Sequence, residues 1–131
     1  MLTAAEMMTK ELVTISPESS IQEAIELLLE KQISGLPVVD PEGRLVGVIT
    51  EFALLAMVYD REVQHHPVSR HMTREVIAVD ADDPIHRIAD LCIVHRVRRV
   101  PVMKSGRLVG LIARRDVLNA LYQAAAQEIL A

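Results

Sequence analysis

Apolar positions along this chain follow one order of rhythms, and the order is run through twice. Leu12-Val13-Thr14-Ile15 is a short strand-like run closed by Ser16-Pro17. Ser19 or Ser20 then caps a helix predicted over 21–31, where Ile21, Ala24, Ile25, Leu28 and Leu29 recur at helical spacing. The helix is expected to stop by Gly35. Residues 36–39 and 45–50 are two short strands, with Pro37 at a strand start, where a missing ladder donor is tolerated. Asp40-Pro41-Glu42-Gly43 turns between them, because proline presets one turn angle and glycine accepts a positive φ. A helix over 51–59 follows. The second pass gives strand 76–79, helix 85–95, strands 100–103 and 108–113 joined by Lys104-Ser105-Gly106, and a helix from Arg114 onward.

The two passes share residues as well as rhythm. Residues 36–50 read LPVVDPEGRLVGVIT and residues 100–113 read VPVMKSGRLVGLIA. A shift of 64 places Met8, Thr9, Glu11, Ile21, Leu27, Pro37 and Val38 on identical partners; a shift of 63 does so for residues 43–47, Ile49 and Leu55. A repeat of this size is one supersecondary unit, here β-α-β-β-α, that needs a companion to bury its apolar face. The fold is read as mixed α/β: two repeats, 1–59 and 72–131, joined by the polar, aperiodic linker 60–71 into one compact module. The runs LVGVI and LVGLI are apolar at successive positions, so both sheet faces are expected to be covered. The last helix, DVLNALYQAAAQEILA, is apolar on more than one stripe, and such a helix is buried on several sides or meets another chain. A homodimer is expected.

Composition narrows the partners. Phe52, Tyr59 and Tyr122 are the whole aromatic inventory, so the core is aliphatic and stacking platforms for single-stranded nucleic acid are lacking. A net charge of −4 also speaks against nucleic acid. No apolar run approaches the ~20 residues of a membrane span. The start, MLTAAEMMTKEL, lacks the basic-then-apolar order of a signal peptide, and a cytoplasmic protein without membrane attachment is expected. Cys92, in an apolar helical stretch, reads as a small buried hydrophobe rather than a reactive thiol. His65, His66 and His71 have no cysteine or carboxylate at ligand spacing and read as solvated linker residues, with no metal. Neither a catalytic triad pattern nor a glycine-rich phosphate loop occurs, and no enzyme activity is expected.

The order Met-Thr, apolar strand, amphipathic helix, LPVVD, GRLVGVIT, given twice, resembles a tandem pair of cystathionine-β-synthase (CBS) domains over about residues 8–121. The resemblance implies two β-α-β-β-α units packed sheet to sheet with pseudo-twofold symmetry, and two clefts between them. It also implies a module that binds adenosyl ligands (AMP, ADP, ATP, S-adenosylmethionine) and regulates a partner protein, whose identity is unknown, rather than catalysing. With no enzyme or channel domain attached, the chain resembles the stand-alone members, most of which dimerise.

The family's Thr/Ser-x-x-Asp pattern closes the last strand and opens the last helix. Its Asp accepts hydrogen bonds from a ribose diol, and the helix N-terminus favours phosphate. The first copy reads Thr50-Glu51-Phe52-Ala53 and has lost the carboxylate; the second reads Ala113-Arg114-Arg115-Asp116 and has lost the hydroxyl. A neutral hydrogen bond contributes about 0.5–1.5 kcal/mol and a charged one about 1.5–3, so the Ala53 cleft is expected to be weaker by about tenfold. By the resemblance, the main cleft takes Ile112, Ala113, Arg114, Arg115 and Asp116 from one copy. Thr9, Lys10, Leu12, Val13, Ser34, Gly35, Leu36 and Pro37 come from the other. Glycine at 35 allows a flat base to approach the backbone.

The weaker cleft takes Thr50, Thr73, Ile77, Arg98, Arg99 and Val100, with Arg98 and Arg99 standing where the first copy has Ser34 and Gly35. The plainer reading of Asp116 is a solvated first-turn charge. The run His95-Arg96-Val97-Arg98-Arg99 is either a solvated surface or an anion funnel for a polyphosphate. The alternative to a nucleotide sensor is a ligand-free dimerisation or adaptor module with degenerate clefts.

Overall fold

A computed structural model of the chain describes residues 2–130, and side chains as far as residue 126. The end of the last apolar helix assigned from sequence, with the side chains beyond that point, lies outside the described residues. The elements in order are helix α1 (Ala4–Met7), helix α2 (Ile21–Lys31), strands β1 (Gly35–Val39) and β2 (Leu45–Thr50), and helix α3 (Glu51–Met57). Helix α4 (Arg61–Gln64), a 3-10 turn (Val68–Arg70) and strand β3 (Val79–Asp80) come next. Helix α5 (Ile85–His95), strands β4 (Arg99–Lys104) and β5 (Arg107–Ala113), and helix α6 (Arg114–Leu130) complete the chain. The fold is mixed α/β, and α2 and α5 have the bounds that their apolar periodicity predicts.

Local chemistry accounts for the element ends. The Ser20 hydroxyl accepts the Glu23 N–H at 3.1 Å and caps α2. α2 stops before Gly35, as expected, at the C-cap Gln32, which turns left-handed (φ 55°), and Arg96 (φ 52°) ends α5 in the same way. The Asp40 carboxylate accepts the N–H groups of Glu42 and Arg44 and holds the β1–β2 turn. The β4–β5 turn is one residue shorter. Ser105 and Gly106 both take positive φ there, the geometry that joins strands across two residues.

The chain divides into two compact units: Met1–Leu12 with Ile77–Ala131, and Val13–Val76. This division differs from the sequence repeats 1–59 and 72–131, and the difference has a physical cause. Met8 and Thr9 pack with the second copy's hairpin, where Thr9 exchanges backbone hydrogen bonds with Leu111 at 2.8 and 3.1 Å. Met72 and Thr73 pack with the first copy's hairpin, where Thr73 exchanges bonds with Val48 at 2.9 Å each way. In both places a methionine lies against a glycine of the strand. A Cβ on Gly47 would stand 2.6 Å from the Met72 Sδ and 2.9 Å from the Thr73 carbonyl oxygen. A Cβ on Gly110 would meet the Met8 side chain, its own Cβ included at 2.8 Å.

In the unit Val13–Val76, β1 and β2 form an antiparallel hairpin with a bulge between Val38 and Val39. The strand expected at 12–15 is reduced to a single parallel bridge from Ile15 to Val38. Leu36, Val38, Ile49, Ile21 and Ala24 form its core, all essentially without exposure. Residues 60–71, expected as a polar, aperiodic linker, are folded into this unit. Asp60 caps α4, Val68 is fully buried, and the His66 carbonyl accepts the Ile21 N–H at 3.0 Å. The segment lacks periodicity because it is built of one-turn pieces, each too short to show a repeat.

Within it, His66 Nδ1 and His71 Nε2 lie 2.9 Å apart with their rings 4° from parallel. A ring N–H lies in its ring plane, so parallel rings joined by this bond meet edge to edge in one plane. The pair needs one neutral acceptor. Burial first, then the neighbouring His66 and Arg70 charges, lowers the His71 pKa.

In the other unit, β3 pairs parallel with β4, and β4 pairs antiparallel with β5, with the bulge now between Val102 and Met103. β3 begins at Val79, later than the strand expected at 76–79. Val100, Val102, Ile112, Ile88 and Ala4 form the core of this unit. α1 therefore does for this unit what the 3-10 turn does for the other.

Two outcomes follow from this packing. Gly47→Ala is expected to cost about 1–3 kcal/mol by overpacking. Met72→Ala should then cost less in the Gly47→Ala chain than in the parent, because the new methyl fills part of the vacated space. Denaturant melts of the four chains check this, and additive costs would contradict the contact. His71 is held more neutral in the fold than in the unfolded chain, so its contribution is full above the ordinary histidine range near 6.5 and is lost as pH falls below it. Thermal melts across about pH 7.5 to 5 should show a falling midpoint, with a shallower fall in His71→Gln.

Candidate functional site

The end of β5 and the start of α6 carry most of the expected main site. Ile112 is buried in the core and fixes the strand end, Ala113 is half-buried, and Arg114, Arg115 and Asp116 are exposed on the first turn of α6. Ala113 has no side-chain acceptor, so no hydroxyl caps that turn; the Arg114 N–H is taken by the Arg98 carbonyl, and the N–H groups that follow it stand at the positive end of a 17-residue helix. Asp116 makes no hydrogen bond or ion pair to another side chain among the described residues.

Thr9 is joined to Leu111, two residues before Ala113 on the same strand, and Lys10 and Leu12 follow it in the same unit. The exchanged Met8-Thr9 segment thus brings Thr9 into the unit that holds Asp116. Sequence pattern alone does not show this. The signal that was present is the pair of glycines repeated inside apolar strands at 47 and 110, opposite methionines repeated at 8 and 72.

Arg98 and Arg99, expected in the weaker cleft, stand at the same strand end. The Arg98 carbonyl accepts the Arg114 N–H at 2.9 Å, and Arg99 is in register with Ala113. Val100 beside them is buried core, and Ile77 is half-buried at the start of this unit's second segment. The Cys92 thiol on α5 is half-buried. Its pKa is raised by that burial, against an opposing pull from the Arg114 guanidinium, so it is not an activated thiolate.

The unit Val13–Val76 holds the other expected residues. Val13 opens it, and Leu36 and Pro37 are buried in β1. The Ser34 carbonyl accepts the Glu51 N–H at 2.9 Å, and Gly35 is in register with Thr50. A Cβ at position 35 would meet only ordinary contacts, 3.6 Å from the Ile49 carbonyl oxygen and 3.8 Å from Thr50 Cγ2. The packing of this unit therefore does not itself demand glycine there, unlike at Gly47. The Thr50 hydroxyl accepts the Ala53 N–H at 3.3 Å and caps α3, which gives it a structural task of its own. Thr73 is exposed and held to Val48. No helix among the described residues is long and apolar enough to cross a membrane.

The CBS domain model matches residues 4–60 and 68–123. Inosine-5'-monophosphate dehydrogenase of Methanocaldococcus jannaschii is 36% identical over 117 residues, which are 88% of this chain and 23% of that enzyme. The CBS domain-containing protein YhcV of Bacillus subtilis is 32% identical over 112 residues, 84% of this chain and 79% of that protein. The chain spans less than half the length of several curated relatives that it matches. Among solved structures, CBSX2 of Arabidopsis thaliana in complex with AMP superimposes with a TM-score of 0.83 at 31% identity, covering 94% of this chain and 98% of that one. With two domain matches in tandem over most of its length, the chain belongs to the CBS-domain family, as a CBS pair.

Proposed function

We propose that this chain is a regulatory sensor module. It binds an adenosyl ligand, AMP, ADP, ATP or S-adenosylmethionine, at a site anchored by Asp116, and acts as a homodimer on a partner protein in the cytoplasm. The observation that carries the reading is the likeness to CBSX2, solved with AMP, over nearly the whole chain. Three local features support the anchor. Asp116 has free acceptor capacity for a ribose diol, the start of α6 has no side-chain cap beyond the Arg98 carbonyl on its first N–H and favours a phosphate, and Gly35 is a glycine that its own unit's packing does not require. Thr9 and Lys10 beside β5, with Ser34, Gly35 and Leu36, complete the proposed ligand wall.

The mirror anchor is the weaker of the two. Ala53 lacks the carboxylate, and the Thr50 hydroxyl is already used as a cap. That same observation favours a second reading, a ligand-free dimerisation or adaptor module in which both anchors have decayed. Conformational regulation would require the ligand to bind two states of the module with different affinity.

Titration calorimetry with the four ligands separates the readings. One site per chain is expected for at least one of them, and Asp116→Ala is expected to weaken it about tenfold to a hundredfold. No heat with any ligand would leave the adaptor reading. Unchanged affinity in Asp116→Ala would remove the anchor and keep the sensor.

A further inference from the structure

Four positions that the repeat makes equivalent carry opposite chemistry in the two units. In the unit Val13–Val76 they are Ser34, Gly35, Glu51 and Phe52; in the other unit they are Arg98, Arg99, Arg114 and Arg115. The backbone treats them alike. The Ser34 carbonyl accepts the Glu51 N–H at 2.9 Å, and the Arg98 carbonyl accepts the Arg114 N–H at 2.9 Å. Gly35 is in register with Thr50, and Arg99 with Ala113. Each copy thus serves as a control for the other: the same strand end holds one negative charge in the first and four positive charges in the second. The fold has no need of arginine at these places, since the first unit builds the same junction without it.

All four arginines are exposed. None makes a side-chain hydrogen bond or an ion pair among the described residues, where the arginine that is paired with an acid is Arg87, 3.3 Å from Asp83. Neighbouring strands lie about 4.8 Å apart, and like charges set side by side at that spacing repel. The repulsion stands uncompensated until an anion gathers the guanidinium groups, whose planar forks match phosphate oxygens two at a time.

The patch also has a direction. Starting from Asp116, Arg115 and Arg114 come first, on the same helical turn. Arg98 follows, bonded through its carbonyl to Arg114, and then Arg99 beside Ala113. With a ribose held at Asp116, a first phosphate would meet Arg114 and Arg115, and only a longer phosphate chain would extend to Arg98 and Arg99. S-adenosylmethionine brings a sulfonium cation and no phosphate, so the same charges count against it. A nucleic acid fits poorly, because the patch is one strand end wide on a chain whose net charge is −4.

We infer that Arg98, Arg99, Arg114 and Arg115 hold the phosphate chain of the ligand, so that the module answers to a nucleoside di- or triphosphate in preference to AMP and S-adenosylmethionine. This rests on the sensor reading with its anchor at Asp116 and adds the class of ligand. Titration calorimetry on the full chain, in magnesium-free buffer at about 0.05 M salt, tests it with AMP, ATP and S-adenosylmethionine. ATP is expected to bind at least about tenfold more tightly than AMP, and S-adenosylmethionine more weakly than AMP. The ATP-to-AMP ratio is expected to shrink several-fold at about 0.5 M salt. An Arg98→Gln, Arg99→Gln chain, changed only at exposed positions, is expected to bring that ratio close to one; the ligand series on the parent chain tests the inference without any substitution. AMP bound as tightly as ATP, S-adenosylmethionine bound more tightly than either, or a ratio that survives both glutamines overturns the inference and keeps the sensor. No binding of any of the three overturns the sensor reading along with it.

Discussion

Two methionine side chains lying on two bare glycines set the arrangement of everything else in this protein. A strand that carries Gly47 or Gly110 has a gap one side chain wide, and Met72 or Met8 fills it while the following threonine completes two backbone hydrogen bonds. Each contact ties a Met-Thr segment to a hairpin. In both cases the segment precedes one copy and the hairpin belongs to the other. The packed unit is therefore not the sequence repeat, and the fold is an exchange rather than two beads on a string. A methyl at either glycine would push on a side chain near its root, or on a backbone carbonyl, where a close-packed interior has little room to yield.

The exchange has consequences for chemistry. It carries Thr9 to the strand that ends in Ala113 and leads to Asp116, and it carries Thr73 to the strand that ends in Thr50. Each anchor position thereby gains a threonine from the far side of the sequence. The two anchors then differ by single groups. One has a carboxylate and a helix start that no hydroxyl caps; the other has a hydroxyl already bonded to the helix it begins. A charged acceptor with free capacity outweighs a neutral one in use, which is the physical basis for the proposal that Asp116 is the anchor.

Much of this was legible in the residues. The helices 21–31 and 85–95 were readable because a 3.6-residue apolar period over eleven positions has few competitors, and the hairpins because proline, aspartate and glycine punctuate them. The family and its fold were readable because weak motifs recur in the same order. Three things were not. Residues 60–71 fold as single turns, which leave no period, and the edge-to-edge contact of His66 and His71 depends on that fold. Leu12 to Ile15 has strand character, but only Ile15 finds a partner in β1. The exposure of Phe52, Tyr59 and Tyr122 reverses the usual expectation for large apolar side chains, which pattern alone assigns to the interior. Apolar character shows that a side chain seeks cover; only the packing shows whether its own chain provides it.

Hydrogen exchange followed by mass spectrometry, with and without saturating AMP, tests the account most directly because it reads every segment of the proposed site at once. The account predicts added protection in 9–13, 34–37 and 113–116, with 73–77 and 98–100 unchanged. Protection confined to 50–53, 73–77 and 98–100 would contradict it and place the working anchor at Thr50 instead of Asp116.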